Sequence, residues 1–506
     1  MRLNDLLKNV DYTGDTKENP EITNLTISSK EVKPGSLFVA LRGSKLDARN
    51  YIPQALAAGC SAILTTKDDF DWSEIARTPC PLIYATDIVL AKAQVGKNFY
   101  LKSADLDNYI GVTGTNGKTS ICWIISQALS FLGAAASYLG TIGFCLHDRE
   151  GNASLSEQTN TTTEDALSVY RFLGSALKQG ARAAVMEVSS HALDQRRHGC
   201  IAWRGAVFTN LTRDHLDYHK TIEEYTAAKR KLFFSELAAS GKENRFAVIN
   251  VDDAYGEEIL AELKSRYPMI RPIGYSMHED KQYVALRSYQ PTLFNTTISI
   301  MVNGEEINFV SHLVGSFNVS NMLAAAGVLS GLGYCNKDIA LALARVRSAP
   351  GRLERIADKQ IGVYVDYAHT PDGLAKAQES MREICQGRMI TVFGCGGDRD
   401  KGKRPLMAQE VMRLSDIGVV TSDNPRTEEP QSIVDDILVG LKNKRSGFEY
   451  QVYVDRREAI EQAIKQARSG DIVLIAGKGH EDYQDVKGVK HHFSDQEICR
   501  EILKAR

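Results

Sequence analysis

A glycine-rich segment, GVTGTNGKTS at residues 111 to 120, has the residue types and the position that phosphate binding requires. It follows an apolar run typical of a buried strand and precedes the apolar-periodic ICWIISQAL, so its backbone N–H groups would lie at a helix N-terminus. In this interpretation Lys118 contacts the β- and γ-phosphates of a nucleotide and Thr119 offers a hydroxyl to Mg²⁺. Gly114 and Gly117 would let the backbone approach the phosphates closely. The alternative interpretation is a glycine-rich turn.

The spacing of this loop departs from the general pattern G-x-x-x-x-G-K-[ST]. Val112 stands five residues before Gly117, and the leading glycine is displaced to Gly111 or Gly114. The loop by itself therefore indicates phosphate binding without specifying a reaction.

Three further segments carry side chains that could act beside bound phosphates. In MEVSSHALDQRR, residues 186 to 197, Glu187 follows a strand-like run, where it is either a Mg²⁺ ligand or a solvated strand end. In FTNLTRDHLDYH, residues 208 to 219, His215 is either a metal ligand or a turn histidine. In the helical YTAAKRKLF, residues 225 to 233, Lys229 would ordinarily be an exposed helix lysine. The residues alone leave these alternatives open.

The elements that would position these side chains alternate between strand and helix. Short apolar runs recur along the chain, and most precede a glycine-rich turn and a segment of helical period, which predicts the α/β class. The clearest strand predictions are 109–112, 183–188, 207–209, 389–393, 417–421 and 472–475. Ligands of open α/β sheets bind beyond the carboxyl ends of the strands, so this pattern favours an enzyme whose site is assembled from several loops.

The length of 506 residues, at about 150 residues per domain, predicts three domains. The polar stretch KSADLDN and the helix-interrupting SAPGRLE suggest domains at residues 1–105, 106–347 and 348–506. Between Gly274 and Val314 polar and apolar residues alternate, and Asn303-Gly304 is a hairpin signal. The middle domain is therefore predicted to have a mostly parallel sheet with a small antiparallel insertion.

Composition excludes several classes of protein. Hydrophobic residues make up 43% of the chain and charged residues 25%, which excludes disorder, collagen-like sequence and a simple coiled coil. The net charge of −2 supplies no field that would attract nucleic acid or an anionic membrane. The nine cysteines are dispersed without a C-x-x-C pair, and no apolar stretch approaches the length of a membrane span. We therefore expect a cytoplasmic protein with no membrane insertion and no nucleic-acid partner.

The segment TGTNGKT resembles the ATP-binding loop of the Mur ligases, a superfamily that also includes the folylpolyglutamate synthetases. The resemblance implies an ATP site formed by Gly114, Thr115, Asn116, Gly117, Lys118, Thr119 and Ser120. It also implies that Lys229 is carbamylated and binds Mg²⁺ together with Thr119, Glu187 and His215. Further nucleotide contacts would come from Asn318, Arg352, Asp366 and His369. Without the resemblance, Asn318 could be a helix cap, and Arg352 could pair with Glu354.

Other segments are similar to those with which this family holds its muramyl substrate. ISSKEVKPGSLFVALRG, residues 27 to 43, is similar to the uridine-binding segment of an N-terminal α/β domain and implicates Ser29. NTTTEDAL, residues 160 to 167, is similar to the stretch that holds the muramyl dipeptide, although the residues alone predict an N-cap loop. The substrate implied is UDP-N-acetylmuramoyl-L-Ala-D-Glu, and its implied contacts are Thr161, Thr162, Ser189, Gln195 and Arg197.

The C-terminal domain, implied to be Rossmann-like, contains a tetrapeptide that accompanies meso-diaminopimelate in the family, Asp423-Asn424-Pro425-Arg426. A guanidinium can bind the distal carboxylate of that amino acid as a bidentate fork, and L-lysine lacks this carboxylate. The other implied contacts are Arg399, Gly477 and Glu481, the last of which could accept the distal ammonium. The alternative for Arg426 is a turn arginine paired with Glu428 or Glu429.

The resemblance thus implies an ADP-forming peptide ligase of peptidoglycan synthesis that uses ATP and Mg²⁺ and acts as a monomer. Three alternatives remain open at this point. The first is the same reaction with L-lysine, and the second is a folylpolyglutamate-synthetase-like ligase, which would need neither the uridine segment nor the tetrapeptide. The third is a nucleotide hydrolase that turns over ATP without any amino acid.

Overall fold

The structure is a computed structural model that describes the chain apart from residues 44, 45, 69, 71, 73–79, 160, 213, 279–283 and 357–359. The chain divides into two compact units, Met1–Ile273 and Gly274–Arg506. Each unit is built from sheets with helices on their faces.

The first sheet of unit 1 lies at the N-terminus. Its strands are β1 (Tyr12–Thr13), β2 (Asn24–Thr26), β3 (Ser36–Val39), β4 (Ala62–Thr65) and β5 (Leu82–Ala85). They lie in the order β1-β5-β4-β3-β2, and all the pairings are parallel except that of β1 with β5. The helices are α1 (Leu3–Leu6), α2 (Ile52–Ala57) and α3 (Ile88–Tyr100), with 3₁₀ turns at Ser29–Glu31 and Ala48–Tyr51. Apolar clusters on both faces of this sheet form its core.

The second sheet of unit 1 positions the phosphate loop. Its strands are β6 (Asn108–Thr113), β7 (Ala136–Gly140), β8 (Gly143–His147), β9 (Ala153–Glu157), β10 (Ala183–Glu187), β11 (Gly205–Phe208) and β12 (Arg245–Asn250). Their order is β12-β11-β6-β10-β7-β8-β9, in which β8 pairs antiparallel with both β7 and β9. The helices are α4 (Lys118–Phe131), α5 (Ala166–Lys178), α6 (Ser190–Asp194), α7 (Leu216–His219), α8 (Ile222–Lys231) and α9 (Ala254–Arg266). A π-helical stretch, Leu232–Leu237, continues α8.

Strand β13 (Ile270–Ser276) runs across the boundary between the units. In unit 2 it is followed by β14 (Val284–Pro291), β15 (Thr296–Val302) and β16 (Glu305–Ser311), and then by α10 (Ser316–Gly331) and α11 (Asn336–Arg345). Strands β14, β15 and β16 pair antiparallel, and Val302 lies opposite Glu305 across the turn at Asn303-Gly304. The predicted antiparallel insertion and its hairpin are therefore confirmed.

The last sheet of unit 2 holds the C-terminal part of the chain. Its strands are β17 (Glu354–Ile356), β18 (Gly362–Asp366), β19 (Met389–Phe393), β20 (Ile417–Val420), β21 (Glu449–Val452) and β22 (Ile472–Ala476). Their order is β17-β18-β22-β19-β20-β21, and all pairings but that of β17 are parallel. The helices are α12 (Pro371–Ile384), α13 (Lys403–Leu414), α14 (Pro430–Leu438), α15 (Arg456–Gln466) and α16 (Asp495–Ala505), with a 3₁₀ turn at Val439–Leu441. A separate hairpin is formed by β23 (Tyr483–Val486) and β24 (Val489–His492).

Both faces of this last sheet are buried, as its continuous apolar strands predict. Tyr364 and Leu474 belong to one apolar cluster, whereas their chain neighbours Val363 and Val473 belong to another. Side chains alternate between the two faces of a strand, so each strand contributes to both clusters. The α/β class with three sheet-bearing regions is confirmed, while the domain borders at 105 and 347 stay predictions. Within the described residues, no helix combines the length and the apolar character that a bilayer crossing demands.

Candidate active site

The phosphate loop leaves β6 and enters α4 at Lys118, as the sequence predicts. Gly114 and Gly117 have φ values of 147° and 87°, and any residue with a side chain would be strained in either conformation. A Cβ on Gly114 would also lie 1.9 Å from Thr209 Oγ1. The Lys118 ammonium donates to the carbonyl oxygens of Gly114 and Thr115 at 3.0 and 2.9 Å, so it lies within the loop.

The loop following β11 holds the phosphate loop in place, a role that the sequence analysis did not assign to it. Asn210 accepts hydrogen bonds from Thr115 N through its main-chain oxygen at 2.8 Å and from Asn116 N through Oδ1 at 3.0 Å. Thr209 Oγ1 donates to the Asn116 carbonyl oxygen at 2.6 Å. The only available signal was the position of these two residues directly after a predicted strand.

Lys229 is 2% exposed, so its interpretation as an exposed helix lysine is wrong. Its Nζ donates to the Gly114 carbonyl oxygen at 2.7 Å, the same oxygen that accepts from Lys118. The Tyr225 ring lies beneath it, with Nζ 4.5 Å from the ring centroid. Burial lowers the pKa of Lys229 well below its ordinary value, and the Lys118 charge acts in the same direction. A buried amine with a lowered pKa is readily neutral and therefore nucleophilic.

Glu187 ends β10 beside the phosphate loop, since it lies opposite Val112 in the sheet register. Its carboxylate is 1% exposed, which excludes a solvated strand end. Oε1 accepts from Tyr138 Oη at 2.5 Å and from Thr141 N at 3.0 Å, and Oε2 accepts from Thr141 Oγ1 at 3.2 Å. These donors hold a charged carboxylate in one orientation, and the sequence analysis identified neither of the two residues that supply them.

His215 lies in the turn before α7, with a φ of 52° and a side chain that is 45% exposed. Its main-chain N–H donates to Asp214 Oδ1 at 2.9 Å. The ring centroid of His191 is 4.9 Å away, and that of Tyr225 is 6.0 Å away. His215 therefore has an accessible ring close to the aromatic residue that underlies Lys229, as either of its predicted roles allows.

The described residues contain no group of three or more His, Cys, Asp or Glu side chains arranged to hold a metal ion. The predicted metal set has only two such side chains, Glu187 and His215. It therefore depends on the Thr119 hydroxyl and on a carbamate at Lys229, and the metal assignment stays a prediction.

The residues predicted to hold the muramyl dipeptide do converge, and Thr163 connects them. Thr163 Oγ1 donates to the Glu187 carbonyl oxygen at 2.8 Å and accepts from Ser189 N at 3.1 Å. Arg197 Nη1 donates to the Thr163 carbonyl oxygen at 3.1 Å, and Arg197 Nε donates to Gln195 Oε1 at 2.8 Å. Thr163 was part of the predicted segment but was not singled out.

The two remaining threonines of this segment lie at its start. Thr162 Oγ1 accepts from Thr141 Oγ1 at 3.4 Å, and Thr161 Oγ1 donates to the Thr163 carbonyl oxygen at 2.9 Å. Residue 160, the first of the segment, lies outside the described residues. Asp165 is the N-cap of α5, so the N-cap loop interpretation is also correct in part.

Ser29 belongs to the N-terminal sheet region, where its Oγ donates to Gln54 Oε1 at 2.9 Å. Ion pairs join helix α3 of that region to the two segments of unit 1 that are predicted to hold the muramyl dipeptide. Lys92 pairs with Asp165, and Asp87 pairs with Arg196. These pairs are not predictable from the sequence, because no local pattern relates α3 to segments about 75 and 110 residues further on.

In unit 2 the predicted nucleotide contacts form one cluster, apart from Asn318. Asn318 lies within α10, where its Nδ2 donates to the Val314 carbonyl oxygen at 2.9 Å, so it is not the helix cap. The Arg352 guanidinium lies over Tyr367, 4.9 Å from the ring centroid, and no described residue accepts from its buried Nε. The Tyr367 ring also lies 4.7 Å from His369.

Asp366 ends β18 next to this cluster and accepts from Leu353 N and Ala368 N at 2.7 and 2.8 Å. Burial raises the pKa of its carboxyl group, against the effect of the Arg352 charge. Glu354 pairs with Arg500 at 3.0 Å, and its other oxygen accepts from Gly351 N at 2.9 Å. The described contacts therefore do not support the alternative pairing of Arg352 with Glu354.

Three adjacent parallel strands of the C-terminal sheet, β22, β19 and β20, have their carboxyl ends on the same side of the sheet, and the loops that follow them carry every predicted diaminopimelate contact. Asp423 and Asn424 follow β20, and Glu481 lies in the turn after β22. Asn424 Nδ2 donates to Glu481 Oε2 at 2.8 Å. Gly477, also after β22, has a φ of 121°, and a Cβ on it would lie 3.3 Å from Asp423 Oδ2. The sheet thus places these four residues together.

Arg426 and Arg399 approach the same edge around Gly396. A Cβ on Gly396 would lie 2.8 Å from Arg426 Nη1 and 3.8 Å from Arg399 Cγ. Arg426 Nη1 donates to the Gly397 carbonyl oxygen at 2.7 Å, and Arg426 has a φ of 52°.

The carboxylates that might have paired with Arg426 have other partners. Glu428 pairs with the fully buried Arg404 at 2.8 Å, and Glu429 lies 3.9 Å from Lys487. The described contacts therefore do not support the alternative interpretation, in which Arg426 is a turn arginine paired with Glu428 or Glu429.

Three sequence profiles of one family match most of this chain. The Mur ligase middle domain matches residues 112–329, the Mur ligase glutamate ligase domain matches residues 351–479, and the Mur ligase family catalytic domain matches residues 21–100. Among curated relatives, a protein of Gloeobacter violaceus is 40% identical over all of this chain and 99% of its own length. A protein of Chromobacterium violaceum is 40% identical over 96% of this chain and 94% of its own length. Both are named UDP-N-acetylmuramoyl-L-alanyl-D-glutamate–2,6-diaminopimelate ligase.

Solved structures agree with this relationship. A structure bearing the same ligase name has a TM-score of 0.70 at 32% identity and covers 96% of this chain and 95% of its own. Folylpolyglutamate synthase from Mycobacterium tuberculosis has a TM-score of 0.57 at 16% identity and covers 77% of this chain and 91% of its own. The second likeness shows a shared fold only.

Proposed function

Because this chain belongs to the Mur ligase family, we propose that it joins meso-diaminopimelate to the D-glutamyl γ-carboxylate of UDP-N-acetylmuramoyl-L-Ala-D-Glu. The reaction consumes ATP and forms ADP and phosphate. It belongs to cytoplasmic peptidoglycan precursor synthesis, and hence supports cell shape and division. A single chain carries all the predicted substrate segments, so the proposed site needs no residue from a second chain.

The observation that carries this proposal is the convergence of the predicted amino-acid contacts on one sheet edge. Asp423 and Glu481 supply carboxylate acceptors for the distal ammonium of diaminopimelate, with Glu481 oriented by the Asn424 amide, and Arg426 supplies donors for its distal carboxylate. Both charges of the distal carbon therefore have complementary groups within one set of loops. This pairing favours diaminopimelate over L-lysine, which would leave Arg426 without its carboxylate.

The chemistry begins with attack of a γ-carboxylate oxygen on the γ-phosphorus of ATP. The P–O bond to ADP breaks, and an acyl phosphate forms. The amino group of diaminopimelate then attacks the acyl carbon and loses a proton, and the C–O bond to phosphate breaks as the amide forms. ATP is needed because a carboxylate alone is a poor acylating agent at neutral pH. Lys118 lies within the phosphate loop, where its positive charge stabilises the charge that develops on the transferred phosphate.

Lys229 is proposed to attack CO₂ through its amine nitrogen, which forms an N–C bond, and to release one proton to solvent, which leaves a carbamate. The amine must be neutral to attack CO₂, and burial together with the Lys118 charge favours the neutral form. The carbamate turns the buried amine into a carboxylate-like group beside the phosphate loop. A negatively charged carbamate does not repel the Lys118 ammonium, which donates to the same Gly114 carbonyl oxygen.

Mg²⁺ fits the proposed donor set, because a carbamate, the Glu187 carboxylate and the Thr119 hydroxyl all supply hard oxygen atoms. His215 would add a nitrogen ligand. When bound, Mg²⁺ would neutralise charge on the phosphates of ATP. Tyr138 and Thr141 already hold the Glu187 carboxylate in one orientation, which is the contribution of this chain to that site.

The remaining contacts are proposed from the same resemblance. The uridine nucleotide lies against Ser29, and the dipeptide against the loops that Thr163 connects. A folylpolyglutamate-synthetase-like activity is disfavoured, because the match to residues 21–100 and the diaminopimelate contacts would then have no use.

The test is ADP formation with UDP-N-acetylmuramoyl-L-Ala-D-Glu, ATP and Mg²⁺, comparing meso-diaminopimelate with L-lysine. We expect turnover that depends on diaminopimelate and that falls sharply in Arg426→Ala. Arg413→Ala is the matched control, because Arg413 is a half-exposed arginine of the same sheet region whose partners are Glu379 and Glu410. Turnover with L-lysine would reject the specificity, and turnover without any amino acid would favour a nucleotide hydrolase.

A further inference from the structure

Lys478 lies at the centre of the predicted diaminopimelate contacts, although the sequence analysis assigned it no role. It follows β22 in the turn that also contains Gly477 and Glu481. Its side chain is fully buried. A lysine is almost never buried to this extent unless its charge is matched by acceptors.

The acceptors of Lys478 come from two different loops. Its Nζ lies 3.3 Å from Asp423 Oδ1, 3.0 Å from Asn424 Oδ1 and 3.5 Å from Glu481 Oε2. An ammonium has three N–H donors and here faces three oxygen atoms. The Lys478 ammonium therefore joins the loop after β20 to the turn after β22.

Asn424 transmits this arrangement to the surrounding chain. Its Oδ1 also accepts from Asp485 N at 3.0 Å, and its Nδ2 donates to Glu481 Oε2 at 2.8 Å. Gln484 Nε2 donates to the Asp423 carbonyl oxygen at 2.7 Å, and Arg426 N donates to the Asp485 carbonyl oxygen at 2.9 Å. The loop that contains Arg426 is thus held against β23 on one side and against Lys478 on the other.

The charges in this cluster are unequal in their access to solvent. The Lys478 side chain is fully buried, whereas the Glu481 side chain is 20% exposed. Although burial opposes it, the charges of Lys478 and Arg456 hold the pKa of Asp423 below its ordinary value. Glu481 is therefore accessible to a substrate, while Lys478 is accessible only to the protein side chains around it.

Building on the proposed function, we propose that Lys478 is a positioning residue for the amino-acid substrate. Its ammonium fixes Asn424 and Glu481 in the arrangement that receives the distal ammonium of diaminopimelate. Lys478 itself does not touch the substrate. Its loss is expected to weaken binding of diaminopimelate selectively, because the phosphate loop and the dipeptide loops contain none of its partners.

The decisive variant is Lys478→Met, which keeps the length of the side chain and removes the charge and the donors. We expect the KM for diaminopimelate to rise about 10- to 100-fold, in line with the loss of hydrogen bonds between charged groups. The KM for ATP should stay within about twofold. Formation of the acyl phosphate should also persist, measured as oxygen exchange in labelled ATP with the muramyl substrate and without diaminopimelate.

Two further variants complete the design. Lys487→Met is the matched control, since Lys487 lies on the adjacent hairpin with a side chain that is 75% exposed, and we expect wild-type kinetics. Lys478→Arg keeps the charge but presents a larger planar group in place of a compact ammonium, so it should not restore the KM. Should Lys478→Met not fold, Lys478→Gln keeps the KM measurement possible, because its shorter side chain removes the charge and cannot reach both loops while its amide still donates hydrogen bonds.

A KM for diaminopimelate within about twofold of wild type in the folded variant would overturn the inference. So would a fall in kcat with every KM unchanged, because that result means only a smaller folded fraction. The proposed function fails separately, if the wild-type enzyme does not use diaminopimelate at all.

Discussion

The hydroxyl of Tyr138 is expected to orient Glu187 for the proposed Mg²⁺ site, and Tyr138→Phe tests this. Three donors orient the buried Glu187 carboxylate, and the 2.5 Å bond from Tyr138 is the shortest of them. Phenylalanine preserves the ring and removes only this donor, although Ile142 N also loses its acceptor at 3.3 Å. The main effect of the change is therefore on the orientation and charge stabilisation of one carboxylate, and the loss of the long bond from Ile142 N is the smaller effect.

The magnitude follows from the charge of the acceptor. A hydrogen bond to a charged group contributes about 1.5–3 kcal/mol, and about 1.4 kcal/mol corresponds to a factor of ten. Loss of a partner that orients a metal ligand typically weakens metal affinity about 10- to 100-fold, which agrees with that range. We expect the Mg²⁺ concentration that gives half the maximal rate to rise by this factor in Tyr138→Phe.

The assay is ADP formation across a Mg²⁺ titration at saturating substrates. Tyr109→Phe is the control, because Tyr109 is also a buried tyrosine that donates to a carboxylate, Asp105 Oδ1 at 2.6 Å. Tyr109 lies at the opposite end of β6 from the phosphate loop, so its loss should lower stability without changing the Mg²⁺ dependence. If Tyr138→Phe and Tyr109→Phe have the same Mg²⁺ dependence as the wild type, the role of Tyr138 in the proposed metal site is refuted.

Three further predictions concern the phosphate loop and the buried Arg404. Gly114→Ala would place its Cβ 1.9 Å from Thr209 Oγ1, so we expect ATP binding to be lost in calorimetric titration; unchanged affinity would contradict the strain argument. Arg404→Met removes the buried partner of Glu428 and Asp436, whose side chains are 16% and 42% exposed, and the free energy of unfolding should fall by about 1.5–3 kcal/mol in denaturant titration; a fall under about 0.5 kcal/mol would contradict it. The hydrogen bond from Arg404 is the main cause that lowers the pKa of Glu428 to about 2 from an ordinary value of 4.5. The contribution of ionised Glu428 to stability is therefore complete above pH 4.5 and is lost as the pH falls toward 2. In Glu428→Gln, the free energy of unfolding should depend less steeply on pH in this range.

Local sequence patterns predicted the elements of the fold well. The strand predicted at 389–393 has the same bounds as β19, and the Asn303-Gly304 signal lies at the hairpin turn. A buried parallel strand needs a continuous apolar run, and a two-residue hairpin needs backbone conformations that Asn and Gly adopt easily. Such requirements concern neighbouring residues only, so a strand or a hairpin can be predicted from one segment of the sequence at a time.

The candidate site was predictable in its segments but not in its internal contacts. The order of the motifs along the chain pointed to the phosphate loop, the dipeptide segment and the Asp423–Arg426 tetrapeptide. Nothing in those segments indicated that Asn210 accepts hydrogen bonds from the phosphate loop. Nor did they indicate that Thr163 connects the segments predicted to hold the dipeptide. Hydrogen bonds of this kind connect segments that are distant in sequence, and no local pattern encodes them.

The sequence by itself determined the α/β class, the strand ends that carry chemistry and the family resemblance of the motifs. Only the tertiary structure decided which charged groups are buried. Lys229 and Lys478 both occupy positions where a lysine is ordinarily solvated, yet they are 2% and 0% exposed. The physical reason is that a buried charge depends on acceptors, and here distant segments supply them: Gly114 for Lys229, and Asp423 with Asn424 for Lys478.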